Sequence, residues 1–228
     1  MVMSRMLRSL VTVFFTFCFS TYHLYAGVEV AVNDAAAALP DYRPGETFVF
    51  TNKRIARVEK IAGEWVTFSS RNGHRYVRHR NIVLPIMQWA IVGKNGKRAL
   101  HGDAGALWPL AVGNRARFSV LTTIHDEEKK RNVKSAALWQ CHVAALETVS
   151  VVAGVFSSYR IICDHYSAHS MRILKRYTWH YSPVVNHYVR REVTNFFTGE
   201  RDHFELIATL PAEKSNALRI KALENMVY

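Results

Sequence analysis

The sequence predicts a mostly-β protein: an antiparallel sheet followed by a short C-terminal helix. Three observations carry this. About ten apolar runs of strand length are separated by Gly-, Asn- and Pro-containing turn signals. Several runs alternate with period two, as in Arg115-Ala-Arg-Phe-Ser-Val, where Ala116, Phe118, Val120 and Thr122 share a face. Helical spacing emerges only beyond Pro211, where Ile220, Leu223 and Val227 fall on one side. The composition agrees with a folded chain. Of 228 residues 49% are apolar and 21% charged, and 11 Gly with 6 Pro exclude collagen-like and low-complexity classes.

The N-terminus reads as an export signal. Arg5 and Arg8 precede an apolar run over residues 10–19, and Leu24-Tyr25-Ala26 offers a small residue for cleavage before Gly27. The run is too short for the roughly 20 residues of a bilayer span, although an uncleaved anchor is the alternative. Cys18 lies inside the run without the small residues that precede a lipidated cysteine. The expected organisation is a signal peptide (1–26), a spacer (27–40) with room for a short helix at 35–39, an N-terminal β meander (41–90), a second β domain (91–210) and a helical tail (211–228). The expected location is the periplasm, with no membrane span after cleavage.

Within the meander, strands are expected at 47–51, 55–61, 64–70 and 74–79. Arg71-Asn72-Gly73 makes a hairpin turn, because Asn-Gly accepts positive φ. This unit fits a small SH3-like barrel or one edge of a larger sheet. Further strands are expected at 85–92, 115–125, 133–146, 149–152, 156–164, 170–182, 188–197 and 203–210. Lys94-Asn95-Gly96-Lys97 reads as another turn.

Loss of residues 1–26 removes two Arg and no acid from a chain of net charge +12, leaving +10. Outside the cytoplasm such a charge suits lipid, lipoprotein or other anionic envelope components rather than nucleic acid, and a solvated basic surface kept for solubility is the plainer account. Cys141 and Cys163 are the cysteines left, and in an oxidising compartment they read as one disulfide. A thiol pair or a metal site is the alternative, but there is no Cys-x-x-Cys spacing.

Residues 139–192 bear a family resemblance. Trp139-Gln-Cys-His-Val, Val152-Ala-Gly-Val-Phe, Arg160-Ile-Ile-Cys163, Thr178-Trp-His-Tyr-Ser-Pro and His187-Tyr-Val-Arg-Arg-Glu follow in order. The pattern resembles an uncharacterised family of exported proteobacterial proteins, over about residues 107–210. Asn186 stands where that family often has Gly, and Asn also tolerates the left-handed conformation. The resemblance implies a strongly curved antiparallel sheet, an open half-barrel similar to the lipoprotein carriers, and no assigned activity.

No motif names a reaction. There is no H-E-x-x-H, G-x-S-x-G, P-loop or dinucleotide fingerprint, so neither metal nor cofactor is expected. Cys163-Asp164-His165 suggests a thiol nucleophile, but neighbours on a strand point to opposite faces. The candidate ligand-binding residues are basic and aromatic. Tyr76, Arg78 and Arg80 share a face by alternation, and Tyr188 precedes Arg190 and Arg191. Trp108, Tyr181 and Tyr188, with Trp139 and Trp179, could line a groove, although such aromatics are commonly core. Arginines beside rings suit an anionic amphiphile, since guanidinium binds phosphate or carboxylate in two-pronged fashion. A charged sheet edge is the plainer account of the same residues. The expectation is thus a non-enzymatic envelope binding module. The alternatives are an interaction module that contacts cell wall or membrane through basic strands, and an envelope hydrolase.

Overall fold

The computed structural model describes residues 36–225; the signal-peptide reading and the Val227 position of the expected helix lie outside them. Twelve strands follow one another in the described residues. They are β1 (Thr47–Phe50), β2 (Arg54–Ala62), β3 (Trp65–Ser69), β4 (Arg75–His79), β5 (Gln88–Ile91), β6 (Lys94–Asp103), β7 (Arg115–Asp126), β8 (Arg131–Val151), β9 (Gly154–Ser167), β10 (Ile173–Ser182), β11 (His187–Asn195) and β12 (Arg201–Leu210). Each pairs antiparallel with its neighbours in sequence. The last returns to the first, with Thr47 opposite Leu210 and Phe48 opposite Thr209. The sheet is a closed barrel.

Alternation sets what faces the lumen. On β7, Ala116, Phe118 and Val120 are buried while Arg115 and Arg117 are exposed. On β8, Trp139, Cys141 and Val143 are buried in the same rhythm. Cys141 faces Cys163 directly across β8 and β9, and the two form a disulfide. A bond closing a loop of this length stabilises by roughly 3 kcal/mol, by restricting the unfolded chain. Where β1 and β12 meet, the helix α1 (Ala217–Asn225) covers the outer surface, with Ile220 and Leu223 packed on Val49, Ile207 and Leu210.

Barrel diameter grows with strand number, and about eight strands already make an interior that side chains just fill. Twelve need more filler. At the end where the described chain enters β1 and leaves β12, three segments supply it. Residues 80–87, between β4 and β5, turn inward and bury Ile82, Val83 and Leu84. The segment before β7 buries Leu107 and Leu110, and Ala37 pairs with Leu110 through two backbone hydrogen bonds of 2.9 and 2.7 Å. Tyr42 packs edge-on against Phe48 and Phe68. Buried Asn81 ties two of the segments by donating to the Ala104 carbonyl at 2.8 Å.

Several expectations are corrected. The open half-barrel is overturned: β1–β12 pairing closes the sheet. The N-terminal meander is not a separate SH3-like barrel, since it supplies β1 to β5 of the same sheet. Residue 37 is extended, not helical. The strand expected from 85 begins at Gln88, because the residues before it fill the lumen. Strands expected at 133–146 and 149–152 are one strand, β8. The Asn95-Gly96 turn is absent, and both residues lie inside β6. Gly96 serves packing instead: a Cβ there would sit 2.0 Å from the Trp89 ring.

The inserted segments are core by this account. Leu84→Ala is expected to destabilise the protein by about 2–5 kcal/mol. Leu218→Ala, at an exposed position on α1, should stay within about 0.5 kcal/mol. Urea unfolding of both variants checks the contrast, and equal effects would contradict it.

Candidate ligand-binding site

Connections alternate between the two ends of this barrel, so one end carries the turns 51–53, 70–74, 92–93, 127–130, 168–172 and 196–200. Among the described residues no segment fills the lumen at this end, and a mouth remains. Two cavities lie behind it. The outer one, 490 Å³, is reached past Lys53, Arg54, Arg71 and Asn72 and is walled by Phe50, Tyr76, Tyr188 and Phe204. The inner one, 210 Å³, lies among Leu84, Pro85, Trp139, Tyr177 and Trp179, with Arg98 on its wall. Arg78, Ile86 and Arg191 line both.

The sheet aims these side chains. Phe68 and Tyr76 are cross-strand partners with stacked rings 5.7 Å apart, and two residues on Arg78 faces inward beside buried Val66. Arg191 lies opposite Trp179 on one side and Phe204 on the other. A bulge brings it there. Tyr181 pairs with Tyr188 but His180 pairs with Arg190, so Val189 is the extra residue. Tyr188 and Arg191, three positions apart, therefore both face the lumen, while Arg190 faces out.

The rings form a continuous wall. Phe118 stacks on Trp139 at 5.9 Å, Trp139 on Tyr177 at 5.0 Å and Tyr177 on Trp179 at 5.4 Å. The Arg191 guanidinium lies 5.3 Å from the Tyr177 ring centre, 5.8 Å from Trp179 and 5.6 Å from Phe204. Phe50 and Tyr188 stack at 5.2 Å, and both meet Phe204 edge-on, at 5.4 and 6.0 Å.

The three lumenal arginines differ in their partners. Arg78 donates to the carbonyls of Ile82 and Leu84 at 3.0 and 3.1 Å, pinning the inserted segment. Arg98 donates to the Ile86 carbonyl and, at 3.2 Å, to Thr122 Oγ1, and sits 4.4 Å over the Trp89 ring. Arg191 contacts only rings, and the buried Nε atoms of Arg78 and Arg191 have no hydrogen-bond partner among the described residues. No carboxylate pairs with any of the three in these residues. Burial lowers the pKa of Arg191 most, and its neighbours Arg78 and Arg54 lower it further. Burial likewise lowers Arg98, again with Arg78 adding to the effect. Burial pushes Tyr76 up to about 12, against the pull of Arg78, so it stays a neutral hydroxyl at physiological pH. The site is a positive, ring-lined pocket: Arg54 at its entrance pairs with Asp202 at 2.8 Å, while Arg78, Arg98 and Arg191 have no carboxylate partner among the described residues.

The sequence candidates divide. Tyr76, Arg78, Tyr188 and Arg191 come together at the cavities. Arg80 lies beyond the end of β4 and pairs with Asp41 at 3.4 Å. Trp108 and Tyr181 pack edge-on at 5.3 Å in the filled end. Arg190 is held outside by Glu205 at 2.8 Å and the Ser150 carbonyl at 2.6 Å. Sequence reasoning missed Arg54, Arg98, Phe50, Tyr177 and Phe204. The Tyr177-x-Trp179 alternation could have indicated Tyr177.

The residues considered for chemistry do not converge. Cys163 is in the disulfide, and Asp164 faces outward, accepting two hydrogen bonds from Arg176 at 2.7 and 3.0 Å. His165 stacks inside on Trp139 at 4.9 Å; burial, then Lys175 and Arg98, lower its pKa to about 4. Among the described residues no group of three or more His, Cys, Asp or Glu could hold a metal. A larger basic groove of 820 Å³ runs on the outside, past Arg75, Lys97, His125 and Lys134. It is open to solvent, and its cations stand on the outer face of the sheet, where water screens them.

No family model matches the chain, and no curated protein matches it. Solved structures are similar in form. The hypothetical lipoprotein YmcC from Escherichia coli is 12% identical, with a TM-score of 0.49 over 74% of this chain and 86% of that one. A protein of YmcC-like fold from Bacteroides fragilis is 14% identical, with a TM-score of 0.44 over 78% of this chain and 100% of that one. Similarity at this level assigns no ligand, activity or partner to this chain.

His187 gives the fold a pH dependence. Buried against Phe48 at 4.2 Å, its pKa is lowered by burial, with Arg78 adding to this, to about 3. The unfolded chain protonates it near pH 6.5. Between these values the unfolded state binds a proton that the folded state refuses, so stability falls as pH drops from about 6.5 toward 3. The slope from this one proton reaches up to about 1.4 kcal/mol per pH unit. His187→Phe should flatten the acid limb of a stability–pH curve measured by urea unfolding. Parallel curves for the two proteins would contradict the assignment.

Proposed function

We propose that this chain is an exported cell-envelope protein whose barrel lumen binds an anionic amphiphile. The anionic group would lie between Arg78 and Arg191, with its apolar part against Tyr177, Trp179, Phe204 and Phe50. One observation carries the reading: Arg191 is a lumenal guanidinium set against three rings, without a hydrogen-bond acceptor or carboxylate among the described residues. A buried charge is costly unless it is paired. Arg78 lowers the basicity of both Arg98 and Arg191, and the unpaired positive charge is a deficit that an anion removes. Export is supported by the N-terminal signal pattern and by the disulfide, a bond of oxidising compartments.

A fluorescent fatty acid tests the reading directly. cis-Parinaric acid should bind and its uncharged methyl ester should bind weakly. Arg191→Gln should weaken the acid by about tenfold or more, as expected when a charge-assisted pair is lost, with Arg191→Lys intermediate. Arg190→Gln, on the outer face, should leave binding unchanged. Equal affinity for acid and ester, or an Arg191→Gln variant that binds like the parent, would overturn the proposal.

A further inference from the structure

The mouth of the lumen stands out from the rest of the surface in two ways. The first is charge. The six turns of the mouth, each taken with one flanking strand residue on either side, carry ten Lys or Arg against four Asp or Glu. The connections and terminal segments at the filled end, counted the same way from residue 36 to residue 216, carry four against five. The barrel is therefore positive at its mouth and close to neutral at the other end.

The second is the placement of large apolar side chains at the tips of those turns. Val92 is 95% exposed and Phe197 is 88% exposed. Ile91, Met171 and Phe196 are each about half exposed on the same rim. Cations stand directly beside them in the chain: Lys94 after Ile91-Val92-Gly93, Arg172 after Met171, and Arg201 shortly after Phe196-Phe197. The filled end also exposes apolar residues, Val184, Val152 and Val112 among them. There the charges that border the cleft beside Val184 are Asp41, Glu46 and Glu213 with the single cation Arg43.

Apolar tips ringed by Lys and Arg match an anionic bilayer surface. The tips enter the headgroup region while the cations meet lipid phosphates. We infer that the protein docks mouth-down on an anionic lipid surface through Val92, Met171, Phe196 and Phe197 with Lys94, Lys129, Arg172 and Arg201. In that pose the outer cavity opens at the lipid face, past Lys53, Arg54 and Arg71. An amphiphile could then pass between membrane and lumen without crossing water. This inference concerns the rim and stands apart from the lumenal arginines.

Flotation with lipid vesicles tests it on the exported protein, purified after expression of the full chain. Vesicles of phosphatidylglycerol should carry the protein upward at low salt, and vesicles of phosphatidylcholine should not. Val92→Ser with Phe197→Ser should lower partitioning by about tenfold or more, as should Lys129→Glu with Arg172→Glu and Arg201→Glu. All five positions lie on exposed turns or at a strand end, so folding is preserved. Val152→Ser with Val184→Ser, at the opposite end, should change nothing. Arg191→Gln should also float normally, which separates docking from ligand binding. Equal flotation with both lipids, no flotation with either, or equal loss from the opposite-end variant would overturn the inference.

Discussion

The width of a twelve-stranded barrel is the constraint on which everything else depends. Side chains of inward residues cannot fill such a lumen alone. At one end the chain folds three of its own segments inside, and Leu84, Leu107 and Leu110 become as buried as any strand residue. At the other end no segment of the described residues is inserted, and two cavities remain. Core and pocket are thus two solutions to the same excess of interior. Arg78 and Arg98 stand at the boundary, holding the inserted carbonyls on one side and lining the cavities on the other.

This position explains how arginines come to lie inside a barrel. For Arg78 and Arg98 the backbone carbonyls of residues 82–86 replace part of the lost hydration. For Arg191 only the faces of Tyr177, Trp179 and Phe204 do so. Ring faces attract a guanidinium but satisfy none of its five N–H donors. The arrangement stabilises the cation enough to keep it inside and leaves its donors available. The disulfide supports the same wall, since Cys163 lies opposite Tyr177 on one flank and Cys141 on the other.

Much of the sheet was legible in the sequence because alternation is local. The face of Ala116, Phe118 and Val120, the C-terminal helix and the Cys141–Cys163 pair could each be read within a few residues or by elimination. Closure could not. It depends on Thr47 meeting Leu210, far away in sequence, and no local pattern announces that register. Asn95-Gly96 misled for a related reason. Its turn chemistry is strong, but the Trp89 ring lies where a side chain at 96 would be, and that contact is tertiary. At the site, alternation groups residues without saying which face is inside. It placed Tyr76 with Arg78 correctly, carried Arg80 one step past the strand, and missed the bulge at Val189 that separates Arg190 from Arg191.

The central claim is that the unfilled half of the lumen is a preformed anion-recognising pocket. A crystal structure with a brominated long-chain carboxylate tests it most directly, because anomalous scattering locates the bromine independently of the protein. The account predicts bromine among Phe50, Phe204, Tyr177 and Trp179, with the carboxylate within hydrogen-bonding reach of Arg191. Bromine confined to the outer groove beside Lys97 and Lys134, or a lumen left without ligand at saturating concentration, would contradict it.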